Sequence, residues 1–145
     1  MNLVIDASVL IKAFIPESGS EEASSLLARA EAAEVDLIAP ELIYPETANI
    51  LWKKVRRNEL TPEEAREIAE TVLAVPIRAE SAPTTLLLAL DIALACGVTA
   101  YDAQYVALAE IFDCQLVTAD RKLVSSLEGT GFASRMRCIP TLETD

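Results

Sequence analysis

The chain has 145 residues, 52% hydrophobic and 24% charged, which suits one compact domain and is too apolar for intrinsic disorder. It carries 23 acidic against 12 basic residues, a formal charge of −11, and no histidine. The missing imidazole excludes Ser-His-Asp triads, histidine general bases and most zinc sites, and the net acidity disfavours a nucleic-acid partner unless metal ions or a local basic patch intervene.

Leu3-Val4-Ile5 predicts a short buried parallel strand ending at Asp6. A brief helix is expected over residues 8–14, punctuated by Pro16 and Gly19. A second is expected over 20–33, where Ala23, Leu26, Leu27 and Ala30 recur at helical spacing. Residues 35–39 predict a strand closed by Pro40, and 42–57 a helix with Ile43, Ile50, Leu51 and Trp52 as its apolar positions. Thr61-Pro62-Glu63-Glu64 is a helix start: Thr61 caps, Pro62 suits the first helical position and Glu64 completes a capping box. That helix is expected to run to about residue 73, followed by a weak strand at 75–77. Residues 83–96 predict a strongly apolar helix stopped by Gly97. This helix and Trp52 read most simply as core, a dimer interface being the second reading, with Asp91 exposed. A helix over 99–112, a strand over 115–118, a helix over 120–127 and a last strand over 136–139 complete the chain.

Strands alternating with helices predict an α/β fold: a parallel sheet of four to five strands flanked by helices, as a single domain over residues 1–145. Three cysteines without CxxC spacing (Cys96, Cys114, Cys138) argue against a disulfide framework. The N-terminus lacks a basic n-region, and no apolar run reaches the ~18 residues of a membrane span. A cytoplasmic protein with no membrane partner is expected.

In an open parallel sheet, ligands bind at the carboxyl ends of the strands. Asp6 and Asp120 occupy two such ends. Glu46 shares an apolar helix face with Leu42, Ile43 and Ile50, and Asp102 sits in the first turn of its helix. Asp6 and Asp120 also fit as helix caps, and Asp102 as the acidic member of a Thr99 capping box. Gathering four carboxylates costs a few kcal/mol per close pair unless a cation intervenes. An all-oxygen donor set points to Mg²⁺ or Mn²⁺. Ser8 and Thr118 adjoin these acids and Asn49 lies one turn beyond Glu46, so each is placed to support a carboxylate or a water; local capping is the simpler reading for Ser8 and Thr118, and helix packing an equal one for Asn49.

At these residues the chain resembles the PIN-domain nucleases, and most closely the VapC toxins of prokaryotic toxin–antitoxin pairs. Val4-Ile5-Asp6-Ala7-Ser8-Val9-Leu10 is similar to the family's first motif. Pro40-Glu41-Leu42 with Glu46, Asn49 and Leu51-Trp52 is similar to the second, and Leu116-Val117-Thr118-Ala119-Asp120 to the fourth. The third, Tyr101-Asp102-Ala103-Gln104-Tyr105-Val106-Ala107-Leu108-Ala109, is the most specific. The resemblance implies a PIN-like three-layer fold and Mg²⁺- or Mn²⁺-dependent endoribonuclease activity as the toxin of such a pair. It also implies a homodimer silenced by a cognate VapB-type antitoxin. Asp6 would bind metal most directly, Glu46 and Asp102 would complete the principal site, and Asp120 would hold a second metal or orient water. Histidine-assisted attack by the RNA 2′-hydroxyl is excluded, so hydrolysis by metal-activated water should leave 5′-phosphate and 3′-hydroxyl ends. Lys53, Lys54, Arg56 and Arg57, with Arg121 and Lys122 beside Asp120, are candidate phosphate contacts, although basic residues at a helix C-terminus also complement its dipole.

The competing reading is a non-catalytic α/β regulatory or protein-interaction domain with the same fold. A receiver domain would need paired early acids and a late lysine. A haloacid-dehalogenase-like phosphatase needs Asp-x-Asp, where this chain has Ser8. Gly-rich nucleotide-binding motifs are missing.

Overall fold

The computed structural model describes residues 1–141. Its five strands are β1 (Asn2–Ile5), β2 (Asp36–Pro40), β3 (Ile77–Glu80), β4 (Gln115–Thr118) and β5 (Met136–Cys138). All pair in parallel, in the order β3-β2-β1-β4-β5. The strands read as continuous apolar runs because both faces of the sheet are covered. Leu3, Ile5, Leu37, Ala39 and Val117 face one layer, formed by α1 (Ala7–Lys12), α2 (Ser20–Glu31), α3 (Ile43–Arg56) and α4 (Pro62–Ala74). Val4, Ile38 and Leu116 face the other, formed by α5 (Leu86–Cys96), α6 (Ala100–Ile111) and α7 (Arg121–Ser126). This is the expected three-layer α/β arrangement with five strands.

Local chemistry sets the boundaries. The α2 residues at helical spacing, Ala23, Leu26, Leu27 and Ala30, are all buried. The capping box opens α4 with both halves formed: the Glu64 N–H donates to Thr61 Oγ1 at 3.1 Å, and the Thr61 N–H donates to Glu64 Oε1 at 3.0 Å. Gly97, at φ 69°, takes the left-handed conformation that ends α5.

Three expectations are corrected. First, β3 begins two residues late, at Ile77, because the Val75 N–H still bonds Val72 O at the end of α4; Ile77 to Glu80 then pair with Leu37 to Pro40. Second, the apolar helix opens with a 3-10 turn (Ala82–Thr84), and α5 is not a core helix. It packs on α6 through Ala89 and Ile92, leaving Leu86, Leu87, Leu90 and Leu94 at 65%, 76%, 48% and 76% exposure. Third, Trp52 is 53% exposed, with the Arg56 guanidinium stacked over its ring at 4.9 Å. Asp91 is exposed, as expected. Cys96, Cys114 and Cys138 are free thiols. Among the described residues no single helix is long and apolar enough to cross a membrane.

The strand order reverses between β1 and β4, the two central neighbours. Their register pairs Ile5 with Val117, so both end at the same level. The crevice at such a switch point is where an open α/β sheet binds ligands. Asp6 follows β1 there, and Asp120 lies two residues beyond β4.

Candidate active site

Asp6 is the N-cap of α1 and its carboxylate accepts three hydrogen bonds. Oδ1 accepts from the Val9 N–H at 3.1 Å and the Ser8 hydroxyl at 2.5 Å, and Oδ2 accepts from the Thr118 hydroxyl. The same hydroxyls stitch β1 to the end of β4. Ser8 Oγ accepts from the Ala119 N–H at 3.1 Å, and Thr118 Oγ1 accepts from the Asp120 N–H at 3.0 Å. Ser8 and Thr118 therefore hold one buried acid in one orientation. Asp120 is exposed and caps α7, accepting from the Leu123 N–H at 3.0 Å. Capping and carboxylate display coexist at both positions.

Glu46 lies in the first turn of α3, half-buried, with its Oε1 accepting from the Tyr105 hydroxyl at 2.6 Å. Tyr105 is buried in mid-α6, three residues after Asp102 and therefore on the same side of that helix. Asn49, one turn beyond Glu46, is exposed on the cleft wall, and it is Tyr105 that donates to Glu46. The signal in the sequence was a tyrosine one turn from an acid on a buried helix, since a buried tyrosine hydroxyl seeks a partner. Asp102 is part of only half a capping box. Its N–H donates to Thr99 Oγ1 at 3.1 Å, and among the described residues its carboxylate makes no return bond of the kind Glu64 makes to Thr61.

Electrostatics ties the four acids together. Burial pushes the Asp6 carboxyl above its ordinary value, its three hydrogen bonds oppose this, and the nearby Asp120 charge adds to it. Burial also raises Glu46, with Asp102 and Asp6 repelling its charge, and raises Asp102, which Asp120 repels. Tyr105 is held far above the phenol range by burial and by Glu46, so it acts as a hydrogen-bond donor. Among the described residues none of the four acids is in an ion pair with lysine or arginine; the ion pairs present involve other carboxylates. Desolvated carboxylates normally have a cationic partner or a metal.

Among the described residues no three acids stand close enough together to hold one ion directly. Asp6, Asp120 and Glu46 are each tied to their own neutral donors: Asp6 to two hydroxyls, Asp120 to the α7 terminus and Glu46 to Tyr105. A hard divalent ion still fits these residues. Mg²⁺ usually takes one or two carboxylates and keeps several waters, and the donors are all oxygen. Glu46 and Asp102 line a shared cleft of about 420 Å³ between α3 and α6, with Leu42, Pro45, Asn49, Thr99 and Tyr101. A cavity of about 500 Å³ lies at the opposite, amino ends of β1 to β3. It holds none of the four acids, so chemistry rather than size locates the site.

The PIN domain family matches residues 3–125. Ribonuclease VapC3 of Pyrobaculum aerophilum is 38% identical over 125 residues, 85% of this chain and 92% of its own length. The chain belongs to the PIN-domain family, in its VapC group. The PIN domain is also similar to Ribonuclease VapC9 of Mycobacterium tuberculosis, 32% identical over 121 residues, 83% of this chain and 87% of that one. Its fold is similar to the crystal structure of PAE2754 from Pyrobaculum aerophilum, with a TM-score of 0.67 at 25% identity, covering 90% of this chain and 82% of that one. The matched family span includes all four acids.

An ion that binds only the folded PIN domain stabilises it, by about 2.7 kcal/mol at a hundredfold excess over Kd. Mn²⁺ or Mg²⁺ is therefore expected to raise the thermal midpoint in a melting scan against EDTA, and Asp6→Asn to remove most of the rise. Equal shifts in both proteins would contradict the fit.

Proposed function

We propose that this PIN domain is the ribonuclease toxin of a toxin–antitoxin pair, hydrolysing RNA phosphodiester bonds at Asp6, Glu46, Asp102 and Asp120 with Mg²⁺ or Mn²⁺. The observation that carries the reading is the set of four acids at one edge of the sheet, three of them desolvated, with no lysine or arginine paired to them among the described residues. The similarity to named ribonucleases supports the choice of RNA.

Asp6 would hold the ion most directly, with Glu46 and Asp102 completing the site and Asp120 beside it. When bound, such an ion lowers the pKa of a water molecule and offsets the charge that develops on phosphorus. Ser8 and Thr118 fix the Asp6 carboxylate, and Tyr105 fixes that of Glu46. Lys53 and Arg56 on α3, Arg57 just after it, and Arg121 and Lys122 beside Asp120, hold substrate phosphates. Lys54 contributes less, because it faces Glu59 at 3.4 Å. Arg121 donates to a neutral acceptor, Pro140 O, at 3.0 Å.

Incubation of RNA with the protein in EDTA, Mg²⁺ and Mn²⁺, followed by analysis of the product ends, tests the proposal. Cleavage is expected only with the ions, leaving 5′-phosphate and 3′-hydroxyl ends. Cleavage in EDTA, or 2′,3′-cyclic phosphate ends, would contradict it.

The proposal extends to one catalytic domain acting in the cytoplasm, inhibited by a VapB-type antitoxin and assembled as a homodimer. Leu86, Leu87, Leu90 and Leu94 lie along one side of α5, the apolar surface such a dimer would cover. Leu87→Glu with Leu94→Glu is expected to convert a dimer to a folded monomer in analytical ultracentrifugation. A wild-type monomer, or a dimer that survives both changes, would remove this part of the proposal.

A further inference from the structure

The C-terminal half of α3 carries a feature that the acid site does not use. Trp52 is half-exposed, the Arg56 guanidinium sits over its ring at 4.9 Å from the centroid, and Lys53 and Arg57 complete the walls of a shallow cleft of about 340 Å³. Among the described residues Lys53, Arg56 and Arg57 form no ion pair. Three unpaired cations around an exposed indole form a local anion-seeking surface on a chain of net charge −11.

This cleft is in line with the acid site. Glu46, Asn49, Lys53 and Arg56 recur at three- and four-residue spacing, so they share one face of α3. Glu46 and Asn49 line the acid-bearing cleft, and Lys53 and Arg56 line the second one. At 1.5 Å per residue the basic residues lie about 10–15 Å along the helix from Glu46, roughly three to four stacked nucleotides at about 3.4 Å each.

We infer that the Trp52–Arg56 stack is a base-stacking platform that holds single-stranded RNA a few nucleotides from the bond cut at the acid site. The inference rests on the proposed ribonuclease function and adds where the strand runs. An aromatic ring beside phosphate-binding cations is the general form of a sequence-tolerant single-strand site, because every base has a π-face. The planar Arg56 guanidinium continues the stacking surface or yields it to a base. Charge selects this occupant over a second copy of the chain. A two-fold self-contact centred on Trp52 would bring two sets of lysines and arginines together, whereas RNA brings phosphates. The uncharged leucine face of α5 has no such conflict.

Trp52 is the only tryptophan in the chain, so its fluorescence reports this site alone. The experiment uses the whole protein in EDTA and titrates an end-labelled single-stranded oligoadenylate. Indole emission and label anisotropy are recorded together. Emission is expected to fall in parallel with the rise in anisotropy, and both changes should weaken as salt is added. Trp52→Ala is expected to weaken binding about tenfold or more, and Trp52→Phe to retain most of it. The inference is overturned by binding that leaves the indole emission unchanged, or by a Trp52→Ala protein that binds as tightly as the wild type. It is overturned equally by no binding at all, or by emission that varies with protein concentration when RNA is absent, which would assign the face to a second copy. None of these readings consults cleavage. Failure of the ribonuclease proposal would show separately, as wild-type protein inactive with both ions.

Discussion

Asp6→Asn is expected to lower the rate of RNA cleavage by about 10²-fold or more in saturating Mn²⁺, while the chain stays folded. The substitution preserves size and leaves Oδ1 to accept from the Val9 N–H and the Ser8 hydroxyl, so the α1 cap persists. It removes the negative charge and sets an amide against the Thr118 hydroxyl. Burial works against the Asp6 charge, and among the described residues no lysine or arginine pairs with it, so the charged form adds nothing to stability in EDTA. The thermal midpoint of the variant without metal should therefore be no lower than that of the wild type. Lost activity with preserved folding would identify a charge kept for function. Cleavage within a few-fold of wild type would show that Asp6 is only a helix cap.

The second large effect is expected at Tyr105. Tyr105→Phe keeps the buried ring and deletes only the hydroxyl that donates to Glu46 at 2.6 Å. Groups that orient a metal-site carboxylate typically contribute 10–100-fold to affinity or activity, and a loss of that order is expected here. The signature is a shift in the metal titration. The half-activating Mn²⁺ concentration should rise, and part of the lost rate should return at high Mn²⁺, because Glu46 is still present but less fixed. A purely structural role for Tyr105 would lower the thermal midpoint and leave the Mn²⁺ dependence unchanged, contrary to this assignment.

Much of the fold was legible because its signals are local. Leu3-Val4-Ile5 and Leu116-Val117 are short apolar runs that lead into helices, the pattern that a strand covered on both faces must have. Thr61, Pro62 and Glu64 specify a helix start without reference to the rest of the chain. The acids at strand ends were legible for the same reason, since an acid after an apolar run is both a cap and a residue at the carboxyl edge. Signals that depend on distant partners were not legible. Tyr105 and Glu46 are 59 residues apart, and only packing α6 against α3 brings them together. Apart from Asp91 the α5 sequence is apolar, so periodicity alone does not reveal which leucines face α6 and which face out. Trp52 occupies an apolar position on paper, yet a column of polar residues on α3 turns it toward solvent. The exact spacing of the acids was also beyond the sequence. Ser8 and Thr118 hold Asp6 and Tyr105 holds Glu46, so these carboxylates are fixed separately, and among the described residues no three acids form a closed cage.

That arrangement is most sharply examined by soaking crystals of the wild-type protein in Mn²⁺ and recording anomalous diffraction. The expected result is a peak in coordination contact with Asp6, with Glu46 and Asp102 reaching it directly or through ordered waters. Peaks confined to other acidic surfaces, with none at Asp6, would contradict a metal-dependent nuclease built on these four acids.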